Sequence, residues 1–228
     1  MIQLNEKCFH GLKHLKQLDL SCNRLSHIEK HTFNHLHKLE VLNLLCNRIQ
    51  SVGVTDFMNL SSLTHLNLLE NAIGSIENRS FRHLCQLKRL MLMSNRLRRV
   101  EERTFYGLEN LQILNLANNL LEKMDENALR DLNKLVILNL SHNQLRKIEE
   151  KSFRNLCNLV ELDLSHNQLM TLHANTLKEQ KQLQTLSLNF NEFEKLPKQL
   201  FQHCLTLKSF DAFNRTFQID EIIHKYIN

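Results

Sequence analysis

The sequence predicts an α/β solenoid: a right-handed, horseshoe-like stack of short repeats with a parallel β-sheet on its concave face. Two observations carry this. Leu20, Leu44, Leu68, Leu92, Leu116, Leu140, Leu164 and Leu188 recur every 24 residues, and Asn23, Asn47, Asn71, Asn95, Asn119, Asn143, Asn167 and Asn191 keep the same spacing without exception. The eight residues LNLSHNQL at 138–145 return as LDLSHNQL at 162–169. Self-similarity at a fixed period of this size marks stacked units that cannot bury their apolar edges alone.

The unit reads L-x-x-L-x-L-x-x-N-x-[LIF]-x-x-[LIVM]-x-x-x-x-[FL]-x-x-[LQC]-x-x, and eight full copies run from Leu15 to Thr206. Its L-x-L core alternates with period two, which predicts a short strand with one face inward. Successive units then pair these strands in parallel at ~4.8 Å spacing, and nine strands span roughly 40 Å. The Asn turns the chain out of the strand, and its amide can satisfy backbone groups of its own and the neighbouring turn. Phe33, Phe57, Phe81, Phe105, Phe153 and Phe201, with Leu129 and Leu177 in two units, fill the convex side. A single domain 1–228 is expected: a partial first repeat over 1–14 (Leu4, Phe9, Leu12), eight repeats over 15–206, and a degenerate repeat with a cap helix over 207–228. The degenerate repeat carries Leu207, Phe210 and Ala212. Ile219, Ile222, Ile223, Tyr226 and Ile227 follow helical spacing, with Asp220 and Glu221 in the first turn, so 213–228 reads as a cap helix.

The phased Leu and Asn residues resemble the leucine-rich-repeat pattern of the 24-residue type, similar to the ectodomains of Toll-like receptors, Slit and variable lymphocyte receptors. The resemblance covers about nine-tenths of the chain. It implies a curved solenoid with a binding role, usually outside the cell. The extracellular families close both ends with disulfide-bonded caps. Here the sequence starts inside a repeat, and cap cysteines are absent from both ends.

The six cysteines fit no extracellular framework. Cys85 and Cys157 lie three repeats apart, roughly 14 Å by strand spacing, beyond disulfide reach. Cys204 takes a core Leu position and reads as a small buried hydrophobe. Cys22 and Cys46 share a phase in adjacent repeats. Parallel rungs aim their Cβ vectors side by side, which favours two free thiols over a disulfide. The repeat type points to a fragment of a longer extracellular receptor. The cysteine pattern points to a complete intracellular protein, and the first expectation is the favoured one.

The x positions of the strand line the concave face. Val41, Leu45, Leu69, Met91, Met93, Ile113 and Ile137 are expected to form one apolar patch, with Arg89 beside it. Contiguous exposed apolar surface marks interaction sites, and Met suits adaptable ones. Arg24, Arg48, Arg96, Arg98 and Arg99 add a basic edge, interleaved with Glu101 and Glu102, whose bland reading is solvated charge. His142 and His166 share a phase near Asp163 and Glu161. A polar stretch of surface is the expectation there, ahead of a metal site or a pH sensor. Asn59 and Asn78 head N-x-S sequons on the convex side and are the glycan acceptors expected on export; Asn139 and Asn214 also head sequons.

No G-x-S-x-G, phosphate loop or H-E-x-x-H motif occurs, so the expected protein is not an enzyme and needs no cofactor or metal. A formal charge of +5 without a dense basic stripe does not argue for nucleic acid. No run of 18 apolar residues is present, so membrane attachment would come only through segments absent from this chain. A protein ligand bound by the concave face is the expected function. The alternatives are an intracellular scaffold and a spacer array within a larger receptor.

Overall fold

The computed structural model describes residues 4–5, 7–212 and 215–218, the last four as backbone only. Nine three- or four-residue strands form a parallel sheet in chain order. They are β1 (Gln17–Asp19), β2 (Val41–Asn43), β3 (His65–Asn67), β4 (Arg89–Met91), β5 (Ile113–Asn115), β6 (Ile137–Asn139), β7 (Glu161–Asp163), β8 (Thr185–Ser187) and β9 (Ser209–Ala212). Each pairs with the next in the register that a 24-residue unit demands, as in Gln17↔Val41 and Leu138↔Leu162. The central leucines Leu42, Leu90, Leu114 and Leu138 are fully buried. So are Leu44, Leu68, Leu92 and Leu116 behind them.

The Asn ladder locks rung to rung. Asn119 Nδ2 donates to Leu92 O at 3.0 Å in the preceding rung, and to Leu116 O and Ala117 O at 3.0 and 3.2 Å in its own. Its Oδ1 accepts from Leu97 N at 3.0 Å, again in the preceding rung. Asn47, Asn95, Asn143 and Asn167 repeat all four bonds. Four bonds from one short side chain use most of what a buried amide can make. No other residue type of that size offers donors and an acceptor in this geometry.

Turns form most of the convex side, stiffened by the two-stranded pairs Ser51–Val52 with Ser75–Ile76 and Arg99–Val100 with Lys123–Met124. The predicted phenylalanines are buried there, and Phe57, Phe81 and Phe105 stack at 6.0 and 6.3 Å. Gly107 is required by its position: φ is +89°, and an added Cβ would lie 2.9 Å from Arg82 Cα. Asn59 holds the same phase two repeats earlier with φ +68°, the left-handed region that Asn tolerates better than most residues.

Two end features differ from expectation. Leu12 of the partial first repeat is exposed, whereas Leu4 and Phe9 are buried. At the other end, Arg215–Gln218 is a strand, β10, antiparallel to β9, and not part of a helix. The reversal gives β9 a backbone partner on its outer side. The rest of the cap helix expected over 213–228 lies outside the described residues. Among the described residues no helix is long and apolar enough to cross a membrane.

Candidate functional site

The outward face of the sheet is built in three columns. The first holds Gln17, Val41, His65, Arg89, Ile113, Ile137, Glu161 and Thr185. Val41, Ile113 and Ile137 are half-buried by their neighbours, and Arg89 is exposed. His65 sits between Val41 and Arg89 in the register. Burial first, then the charges of Arg89 and Lys88, hold its imidazole below the usual histidine range.

The second column has a structural role that the repeat pattern conceals. Asp19, Asn43, Asn67, Asn115, Asn139 and Asp163 each accept, through Oδ1, the backbone N–H two residues ahead, at 2.8–3.2 Å. These are Asx turns that end the strand. The Ser21 hydroxyl, and then the Ser21 backbone N–H, hold the Asp19 carboxyl below the usual carboxylate range. Ser141 and Ser165 add hydroxyl bonds to the same oxygens, at 2.7 and 2.6 Å. In β1 through β7 only Met91 departs from this rule, and Met93 N has no such cap. A signal was present in the sequence: six of these seven positions are Asp or Asn.

The third column contributes Leu45, Leu69 and Met93, all half-buried, followed by Ala117, Ser141 and Ser165. The seven apolar patch residues lie on β2, β4, β5 and β6 and in the turns after β2, β3 and β4; the registers pair Ile113 with Ile137, whereas His65 and Arg89 stand between Val41 and Ile113. None is fully exposed. Further along the sheet the surface turns polar. A shallow depression of about 160 Å³ is lined by Ile137, Asn139, Glu161, Asp163, Thr185 and Ser187.

Part of the predicted basic edge is already paired. Arg98 bonds Glu122 at 3.3 Å and Arg99 bonds Glu101 at 3.0 Å, with Glu101 half-buried and the other three exposed. Arg24, Arg48, Arg89 and Arg96 form no ion pair among the described residues. His142 and His166 stack at 3.9 Å between ring centroids, and His166 stacks on Phe190 at 4.1 Å. Among the described residues no three His, Cys, Asp or Glu side chains gather to hold a metal ion. Asn78 is exposed, with Nδ2 bonded to Glu101. Asn59 is half-buried and bonded to Asn34.

The model of the leucine rich repeat matches residues 2–45, 38–90, 85–145 and 134–193. The chain belongs to the leucine-rich-repeat family. This horseshoe of about eight turns is the family's fold. The solved complex of TLR13 with ssRNA13 is 31% identical over 93% of this chain, with a TM-score of 0.85. The chain spans 31% of that chain's length. A chain in the octameric complex of Latrophilin 3, Unc5D and FLRT2 (LRR) is 24% identical, with a TM-score of 0.73, over 90% of this chain and 69% of that one. The second likeness is one of fold alone. No curated protein matches.

Proposed function

We propose that this leucine-rich-repeat chain is an interaction module of a receptor-like ectodomain, acting outside the cell and binding a protein ligand through its concave face. Val41, Leu45, Leu69, Met91, Met93, Ile113 and Ile137 supply the apolar contacts, and Arg89 orients the ligand through a carboxylate. The observation that carries this reading is the β4 rung. Met91 stands where six other rungs place a capping Asp or Asn, so this rung gives up a backbone hydrogen bond for apolar surface. Departures from a local structural rule concentrate at functional sites. Arg89 on the same strand, without an ion pair, adds the specificity that an apolar patch lacks. On export, Asn78 and Asn59 carry glycans on the convex side, away from this face.

Immobilised chain, cross-linked to partners from an extracellular protein pool, tests the reading. Cross-links are expected on β2–β6, and Leu69→Glu and Met93→Glu are expected to weaken capture by about tenfold or more while leaving the fold intact. Unchanged capture by both variants would overturn the concave-face assignment.

The ssRNA in the TLR13 complex motivates a second reading. The Lys88 and Arg89 charges beside His65 favour it locally. Fluorescence anisotropy with a labelled single-stranded RNA separates the two. RNA binding would weaken steeply with salt, with a log–log slope of about −0.7 per phosphate contacted. The protein-ligand reading expects no such binding at physiological salt.

A further inference from the structure

We propose that Cys22 and Cys46 are a cross-rung dithiol that closes to a disulfide by exchange with a small-molecule disulfide such as oxidised glutathione, joining the first two rungs of the sheet. The two residues hold one phase of adjacent repeats, on rungs paired in register through Gln17↔Val41. Their backbones match: φ is +54° and +53°, and their N–H groups donate to Leu45 O and Leu69 O at 2.8 and 3.0 Å. Rung spacing of ~4.8 Å lies inside the ~4.4–6.8 Å range of Cα separations in disulfides.

The same column shows what such matched turns do to side chains. Glu70, Ser94, Asn118, His142, His166 and Phe190 share this phase, all with φ between 52° and 56°. The rings of His142 and His166 lie parallel at 3.9 Å. Neighbouring side chains of this column also meet at Ser94–Asn118, at 2.9 Å, and at His166–Phe190. Cys22 and Cys46 are both exposed, and neither is in a disulfide. The Cys46 thiol is pushed up first by the charge of Cys22, then by desolvation, by a hydrogen bond with Cys22 and by Glu70, in keeping with the two thiols being neighbours in this column. Cys85 and Cys157 are three rungs apart, and Cys204 is buried with its thiol pushed up to about 12.

In the exchange the Cys22 thiolate attacks one sulfur of oxidised glutathione. That S–S bond breaks, one glutathione thiolate leaves, and a mixed disulfide remains on Cys22. Cys46 then gives its proton to solvent. Its thiolate attacks the Cys22 sulfur and expels the second glutathione thiolate. Two protein thiols lose two electrons, and the two glutathione thiolates gain them and take up two protons. Parallel Cβ vectors at rung spacing stand wider than the ~3.8 Å that a relaxed disulfide needs, so the bond is readily reduced again. Its place has a structural use. Leu18 and Leu20 of the first rung are only partly buried, whereas Leu42 and Leu44 of the second are fully buried.

The test is peptide mapping by mass spectrometry of the full chain, equilibrated in glutathione buffers from reducing to oxidising and then alkylated. A peptide pair linked through Cys22 and Cys46 is expected to grow with oxidation, to revert on reduction, and to vanish in Cys22→Ser. Cys85 and Cys157 are expected to form mixed disulfides only. Glutathione on both Cys22 and Cys46 with no linked pair would overturn the proposal, as would links scattered over Cys8 and Cys85.

Discussion

The β4 and β7 rungs are the same machine with different outer surfaces. Arg89-Leu90-Met91-Leu92-Met93 and Glu161-Leu162-Asp163-Leu164-Ser165 bury equivalent leucines to 0 or 1% exposure. Both rungs end on a ladder Asn, Asn95 and Asn167, with matching bonds. Outward they part. Asp163 accepts from Ser165 N and Oγ at 2.9 and 2.6 Å, whereas Met91 caps nothing and lies beside Met93. The difference separates two kinds of position. Inward residues and the ladder are dictated by stacking. Outward ones are either strand-end caps or free to carry a surface.

The strongest way to break this division is to violate it inside. Leu68→Glu places an uncompensated charge in a fully buried site and is expected to cost ~4 kcal/mol or more, read as loss of the thermal transition. Leu69→Glu, one residue along and outward, is expected to leave that transition nearly unchanged. Equal effects would mean the strand faces are misassigned. Next comes the ladder. Asn119→Ala orphans the buried Leu97 N–H, whose acceptor is Asn119 Oδ1. The expected loss in a urea titration is about 2–3 kcal/mol. Asn23→Ala, whose Nδ2 among the described residues reaches only Leu20 O and Ser21 O in its own rung, is expected to lose about 1 kcal/mol. Similar losses would show that the ladder does not couple rungs.

Exchanging the outer residues of the two rungs has a smaller effect and tests the comparison itself. Met91→Asn is expected to cap Met93 N and raise stability by about 1 kcal/mol, while weakening ligand capture. Asp163→Met is expected to lose about as much stability with no effect on capture. A stabilised Met91→Asn that still captures ligand at full strength would remove the main support for the β4 site.

What the sequence could reveal follows the same division. Stacking repeats the inward constraints at one phase, so Leu44, Leu68 and the ladder Asn residues are visible as columns. The strand-end caps left a trace, Asp or Asn at six of seven positions, but an Asp or Asn at an x position also reads as polar surface, and only the hydrogen bonds assign the column its role and Met91 its exception. Residues 215–218 were drawn into a helix by the spacing from Ile219 to Ile227, because four residues carry too short a period to declare a strand. The apolar positions proposed for the concave face are readable as a set in the sequence. The curvature and close strand spacing that leave those side chains half-buried are properties of the assembled sheet.

The smallest expected effect is a pH dependence centred on the apolar half of the face. His65 is held below the usual histidine range by burial, with Arg89 and Lys88 adding to it. A histidine whose folded pKa is depressed binds its proton more readily when the chain unfolds. Stability is then unaffected well above the ordinary value of about 6.5 and falls as pH drops through it toward the lowered folded value. His83 and His166 shift in the same direction, chiefly through desolvation, so the whole-chain slope has several sources. The β7 rung carries carboxylates in place of Arg89 and has no counterpart to His65. Urea midpoints measured from pH 7.5 to pH 5 are therefore expected to decline less in His65→Gln than in the parent chain. Arg89→Gln is expected to give a partial version of the same flattening, since one of the charges opposing protonation is gone. Parallel declines in all three proteins would mean that His65 titrates as though it were in solvent, and that the β2–β6 face is wetter than its packing implies.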